Sequence, residues 1–114
     1  MLVNRKPPHG SIYAQEALEV ALIAGAFEQD VSLAFLDDGV YQLVKGQNTR
    51  SIGAKDFARA FRALKDFGVD KLYVERESLQ ARGLHTTDLI VQVQCVSARS
   101  LGELMARQDV LLSF

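Results

Sequence analysis

VSLAFLDDGVYQ, residues 31–42, opens with a short apolar run, closes that run with two adjacent carboxylates, and follows them at once with a glycine. The run VSLAFL (31–36) shows no clean alternation of apolar and polar residues, the pattern of a strand covered on both faces. DLIVQV (88–93) has the same character, and KLYVE (71–75) and DVLLSF (109–114) are similar. A further strand is expected from Met1 to about Arg5, ended by Pro7 and Pro8, because proline gives no backbone donor to a ladder. Between these segments lie three stretches of helical pattern: SIYAQEALEVALIAGAF, AKDFARAFRALKDFG and SARSLGELMARQ. Strands that alternate with helices pair in parallel through right-handed crossovers. The expected fold is therefore an α/β three-layer sandwich with a parallel, about five-stranded sheet flanked by helices.

Local signals refine this picture. Ser11 suits the N-cap of the first helix and Gly68 the stop of the second helical stretch, where Phe57, Phe61 and Leu64 recur at helical spacing and read as core. On the first helix Ala14, Ala17, Leu18, Ala21 and Gly25 fall on one face, and small residues there let a helix lie close to a sheet. Ile12, Val20 and Ile23 fall among or beside Gln15, Glu16 and Glu19, on the side expected to face water. Apolar side chains on that side suggest a second packing surface and favour an oligomer.

The 114 residues fit one domain, 1–114. Thirteen Lys and Arg balance fourteen Asp and Glu, so no overall field draws the chain to nucleic acid or to an anionic membrane. The single cysteine, Cys95, forms no internal disulfide, no apolar run approaches the roughly 20 residues of a membrane-spanning helix, and MLVNRKPPHG lacks the sections of a secretory signal. A cytoplasmic location is the simplest expectation.

In sheets of this class ligands gather beyond the carboxyl ends of the strands. That rule singles out KPPHGS after the first strand, DDGVYQ after the second, ERES after the third, and the turn near Cys95 to Ser97 after the fourth. KPPHGS leads into a helix whose free N–H groups suit an anion, with Lys6 and His9 nearby, yet it lacks the spaced glycines of a dinucleotide loop and the GKS or GKT ending of a P-loop. His9 and His85 are far apart and show no ligand spacing, so neither a metal nor a cofactor is expected. Cys95 placed at a helix N-terminus would be a nucleophile of lowered pKa; its other reading is a small buried hydrophobe. Asp37 and Asp38 are adjacent, and neighbouring strand residues point apart, which argues against a catalytic dyad. Asp-Gly also marks a turn in which the carboxylate bonds a backbone N–H and the glycine takes a positive φ.

PPHGSIYAQEALEVAL, LAFLDDGVYQLVKGQ, LYVERESLQARGL and DVLLSF, in this order over nearly the whole chain, resemble the DsrF/TusC branch of the DsrE-like sulfur-relay family. DDGVYQLVKGQ is the most specific of these motifs. The resemblance implies a parallel five-stranded sheet between helices. It also implies a hexamer of DsrE/TusD-, DsrF/TusC- and DsrH/TusB-type subunits, two copies of each. Such a complex hands persulfide sulfur toward a DsrC/TusE-type acceptor, in oxidation of stored sulfur or in 2-thiouridine formation in tRNA.

In DsrE/TusD-type subunits the sulfur-carrying cysteine shortly precedes an Ala-Leu-Arg-Gly-like segment. Aligning that segment with SLQARG at Gly83 places the cysteine near Glu75, and ERES contains no cysteine in any register. A carboxylate cannot accept a persulfide. The resemblance thus implies a structural subunit that is no sulfurtransferase on its own but part of such a complex. Asp37 is then a turn or cap residue, and Asp38, Tyr41 and Gln42 join Ile12, Val20 and Ile23 as subunit-contact candidates. Two alternatives stand beside this: a sulfur carrier using Cys95, and a stand-alone homo-oligomer that binds a small molecule.

Overall fold

The computed structural model describes residues 1–7, 13–27, 29–44, 61 and 63–114. Among these residues are five strands: β1 (Leu2–Asn4), β2 (Ser32–Phe35), β3 (Lys71–Glu75), β4 (Gln94–Val96) and β5 (Leu112–Ser113). They form one sheet in the order β4-β3-β2-β1-β5, with every neighbouring pair parallel. Helices α1 (Tyr13–Ala26), α2 (Arg76–Ala81) and α3 (Ala98–Ala106) lie between strands, with a 3-10 helix at Asp37–Leu43 after β2 and helical backbone at 63–66.

Two apolar clusters, one on each face, build the core. Leu2, Leu33, Phe35, Leu72 and Val74 of the strands meet Leu18 and Ala21 of α1 together with Phe61 and Leu64. Phe35 and Phe61 contact edge to face, with ring centroids 5.7 Å apart and planes at 72°. On the other face Val3, Ala34 and Tyr73 meet Leu101, Leu104 and Met105 of α3. The division follows from handedness: the steps β1 to β2, β2 to β3 and β3 to β4 run one way across the sheet, whereas β4 to β5 returns past them. Right-handed crossovers then put α3 on the opposite side.

The small-residue face of α1 behaves as its pattern requires. Ala17, Leu18, Ala21 and Gly25 are buried, and a Cβ on Gly25 would lie 2.9 Å from Val69 Cγ2. Ala14's side chain, Ser11, Ile12 and Phe57 lie outside the described residues. Gly68 stops the helical segment before it as a Schellman cap, with φ +80, its N–H donating to Lys65 O and that of Val69 donating to Leu64 O.

The fourth strand departs from the sequence reading. DLIVQV, residues 88–93, is not the strand; β4 follows it at Gln94–Val96. The Asp88 carboxylate accepts from the His85 N–H at 2.8 Å and closes a 3-10 turn over Thr86–Asp88. Leu89 is buried and forms an isolated antiparallel bridge with Val44. Leu89 enters the core beside the sheet and Ile90, Val91 and Val93 pack partly buried against it, a role that periodicity does not separate from a strand. The edge strand that follows has only its inner side to cover, and its Gln94 and Cys95 are exposed.

Of the α1 residues read as a second apolar face, Val20 is half-buried and packs against the first core cluster. Ile23 remains 60% exposed, beside Phe27 at 74%.

Candidate functional site

The carboxyl ends of β1, β2 and β3 meet at one corner. Asn4, buried at the end of β1, donates its side-chain amide to Ala34 O, and its own carbonyl accepts from the Leu36 N–H at 3.1 Å. The chain then turns into the 3-10 helix Asp37–Leu43, which presses on β1: a Cβ built on Gly39 would lie 1.9 Å from Asn4 O. Gly39 is required here for close approach. The positive φ expected of it belongs to Asp37 instead, at 52°. Aspartate tolerates the left-handed region better than most side chains do, which lets the glycine be used where space is the constraint.

A 3-10 helix has three residues per turn, so positions three apart share a face. Asp38 and Tyr41 are exposed together, whereas Gly39, Val40, Gln42 and Leu43 point inward. This placement corrects Gln42, read from the sequence as a contact residue: it is only 4% exposed and donates its amide to Lys6 O at 2.9 Å. The side chain ties the corner to the segment that follows β1 rather than presenting itself to a partner.

α2 holds the corner from the side. The Asp37 N–H donates to Ser78 Oγ at 2.9 Å, and that hydroxyl donates to Glu75 Oε1 at 2.6 Å. Glu75 stands at the N-cap of α2 without capping it by its side chain; its oxygen serves the hydroxyl three residues on. Arg82 closes the arrangement. Its Nη1 donates to Ser78 O at 3.1 Å, and its Nε and Nη2 donate to Asp38 Oδ1 at 3.3 and 3.0 Å. Its guanidinium lies 5.9 Å from the centre of the Tyr41 ring. α2 ends at Gly83, φ +66, in a second Schellman cap. Glu77, on the same helix, accepts from the Ala98 N–H at the start of α3.

Cys95 is elsewhere. It is the middle residue of β4, paired with Val74, exposed, and two residues before Ser97, whose side chain accepts from the Ser100 N–H to cap α3. It is therefore not a buried hydrophobe, and it lies in the strand just ahead of the helix end rather than on the cap itself. Among the described residues no group of His, Cys, Asp and Glu is gathered to hold a metal, and no helix is long and apolar enough to cross a membrane. His9 and the rest of the KPPHGS loop from Pro8 lie outside the described residues.

Sequence reasoning placed Glu75, Asp38 and Tyr41 at strand ends but missed Ser78 and Arg82, which join them. The local part of the signal was visible, since Glu75, Ser78 and Arg82 follow one another at helical spacing. Their long-range partners, more than 40 residues earlier, were not.

The model of the DsrE/DsrF-like family matches residues 1–114. The intracellular sulfur oxidation protein DsrF of Allochromatium vinosum is 46% identical over an alignment covering 100% of this chain and 94% of that protein. A TusC homolog of Pseudomonas aeruginosa is 38% identical, covering 99% and 95%. Among solved structures, the ychN protein from E. coli superposes with a TM-score of 0.83 at 22% identity, covering 99% of this chain and 96% of that one, and shares the fold.

Proposed function

This chain belongs to the DsrE/DsrF-like family, and on that premise we propose that it is a structural subunit of a hetero-oligomeric sulfur relay, without a relay thiol of its own. Its similarity to proteins named DsrF and TusC supports a place in intracellular sulfur oxidation or in tRNA thiolation. The partners in this reading are DsrE/TusD-type and DsrH/TusB-type subunits, and the complex as a whole serves a DsrC/TusE-type acceptor.

One observation carries the proposal. At the carboxyl end of β3, where alignment at Gly83 puts the relay cysteine of DsrE/TusD-type subunits, this chain has Glu75, and its Oε1 accepts from Ser78. In persulfide transfer a thiolate attacks the terminal sulfur, the old S–S bond breaks, and the donor leaves as a thiolate. A carboxylate has no sulfur with which to form that bond. The corner built around Glu75 instead presents Asp38 and Tyr41, steadied by Arg82, as the surface offered to a sister subunit. The exposed Ile23 of α1 and Phe27 just beyond its end supply a second apolar contact.

Co-expression with the sister subunits tests this directly. The chain is expected to co-purify with them and to remain free of sulfur after the complex meets a persulfide donor, as read by intact mass. Sulfite reductase genes beside its own would assign the complex to sulfur oxidation.

A second reading is favoured by the exposure of Cys95. There the thiol is a carrier, and the same mass measurement finds sulfur on it.

A further inference from the structure

We infer that Glu75 and Ser78 are positioning residues: acting through the Asp37 peptide, they set the orientation of the Asp38–Tyr41 contact face. The inference rests on reading that face as a subunit contact, and it gives the carboxylate at position 75 a task beyond the absence of a thiol.

The hydrogen bonds run in one direction, from the Asp37 N–H to Ser78 Oγ and from that hydroxyl to Glu75 Oε1. A hydroxyl that donates a hydrogen bond becomes a better acceptor, so each bond strengthens the other. Ser78, at the middle of the relay, is only 3% exposed. At its far end stands the one described non-glycine residue with a positive φ, Asp37 at 52°. A left-handed residue other than glycine persists only where its surroundings hold it.

Asp37 is the first residue of the 3-10 helix. Asp38 and Tyr41 follow on a common face, so the direction of the Asp37 peptide fixes where both side chains point. Arg82 supplies an independent link between the same parts, bonding Ser78 O on one side and Asp38 Oδ1 on the other while covering Tyr41. Position 75 therefore reaches the surface through Ser78 and the backbone rather than by its charge. A neutral side chain that keeps an oxygen acceptor at this position preserves the arrangement.

Two readouts test the link. In the isolated chain, hydrogen exchange at the Asp37 amide is measured for Glu75→Ala, Ser78→Ala, Glu75→Gln and Tyr41→Ala. The first two are expected to speed exchange about tenfold, the loss of about one hydrogen bond, and the last two to change it by less than about threefold. In the second readout, binding to purified DsrE-type and DsrH-type subunits is measured. Glu75→Ala is expected to weaken binding about tenfold, and Glu75→Gln by less than about threefold. In a chain already carrying Asp38→Ala and Tyr41→Ala, Glu75→Ala is expected to remove no further affinity while still speeding exchange.

Unchanged exchange in Glu75→Ala overturns the inference. So does wild-type binding by Glu75→Ala when Tyr41→Ala binds weakly, an outcome that leaves the contact-face reading intact. A further loss of affinity in the doubly substituted background also overturns it, because position 75 then acts elsewhere. Wild-type binding by Asp38→Ala and Tyr41→Ala together rejects the contact face itself.

Discussion

Glu75 and Cys95 stand on neighbouring strands one register step apart, since Glu75 pairs with Val96 and Cys95 with Val74. Alternation along a strand turns them to opposite faces of the sheet. Glu75 ends an inner strand where three chain segments converge, and its side chain enters a relay that runs to the Asp37 backbone. Cys95 occupies an edge strand and is exposed, outside the side-chain bonds that hold the corner together. Location separates their roles more sharply than reactivity does. The carboxylate organises a surface, and in the proposed complex the thiol is a bystander.

Substitutions at the corner should change stability far more than substitutions at the edge. Gly39→Ala forces a methyl group into Asn4 O; we expect a loss of about 3 kcal/mol or more in urea unfolding, or no soluble fold. Ser78→Ala leaves the part-buried Asp37 N–H and a Glu75 oxygen without their partner, a loss of about 1–2 kcal/mol by the same measurement. Asp37→Gly releases a side chain from the left-handed region. It should stabilise the chain by up to about 1 kcal/mol, the relief of strain being partly offset by the greater freedom of unfolded glycine. Cys95→Ala removes an exposed side chain and should change stability by less than about 0.5 kcal/mol. If Cys95→Ala proved as costly as Ser78→Ala, the contrast between corner and edge would fail.

The arrangement of the sheet was legible because buried parallel strands announce themselves as apolar runs and helices by their period. VSLAFL and KLYVE lie where that rule places them. The same rule misplaced β4: Leu89 is apolar because it fills the core, whereas an edge strand such as Gln94–Val96 needs little apolarity to pair. At the corner, the sequence shows an Asp-Gly pair, and turn chemistry assigns the unusual backbone to the glycine. The structure uses them in the reverse sense, because closeness to Asn4 O is a tertiary constraint that no local pattern encodes. Gln42 was misread for a related reason, since strand-end residues look solvent-facing until the 3-10 period turns every third one outward. Ser78 and Arg82 were invisible as site residues because their significance lies in bonds to Asp37 and Asp38.

Sulfur transfer by the reconstituted complex, carried out with wild-type chain and with Cys95→Ala, bears most directly on the absence of a relay thiol in this subunit. The expected result is equal delivery of sulfur to the acceptor in both, with no sulfur found on Cys95 by mass. Loss of delivery in Cys95→Ala together with a sulfur adduct on Cys95 of the wild-type chain would contradict it and make this subunit a carrier.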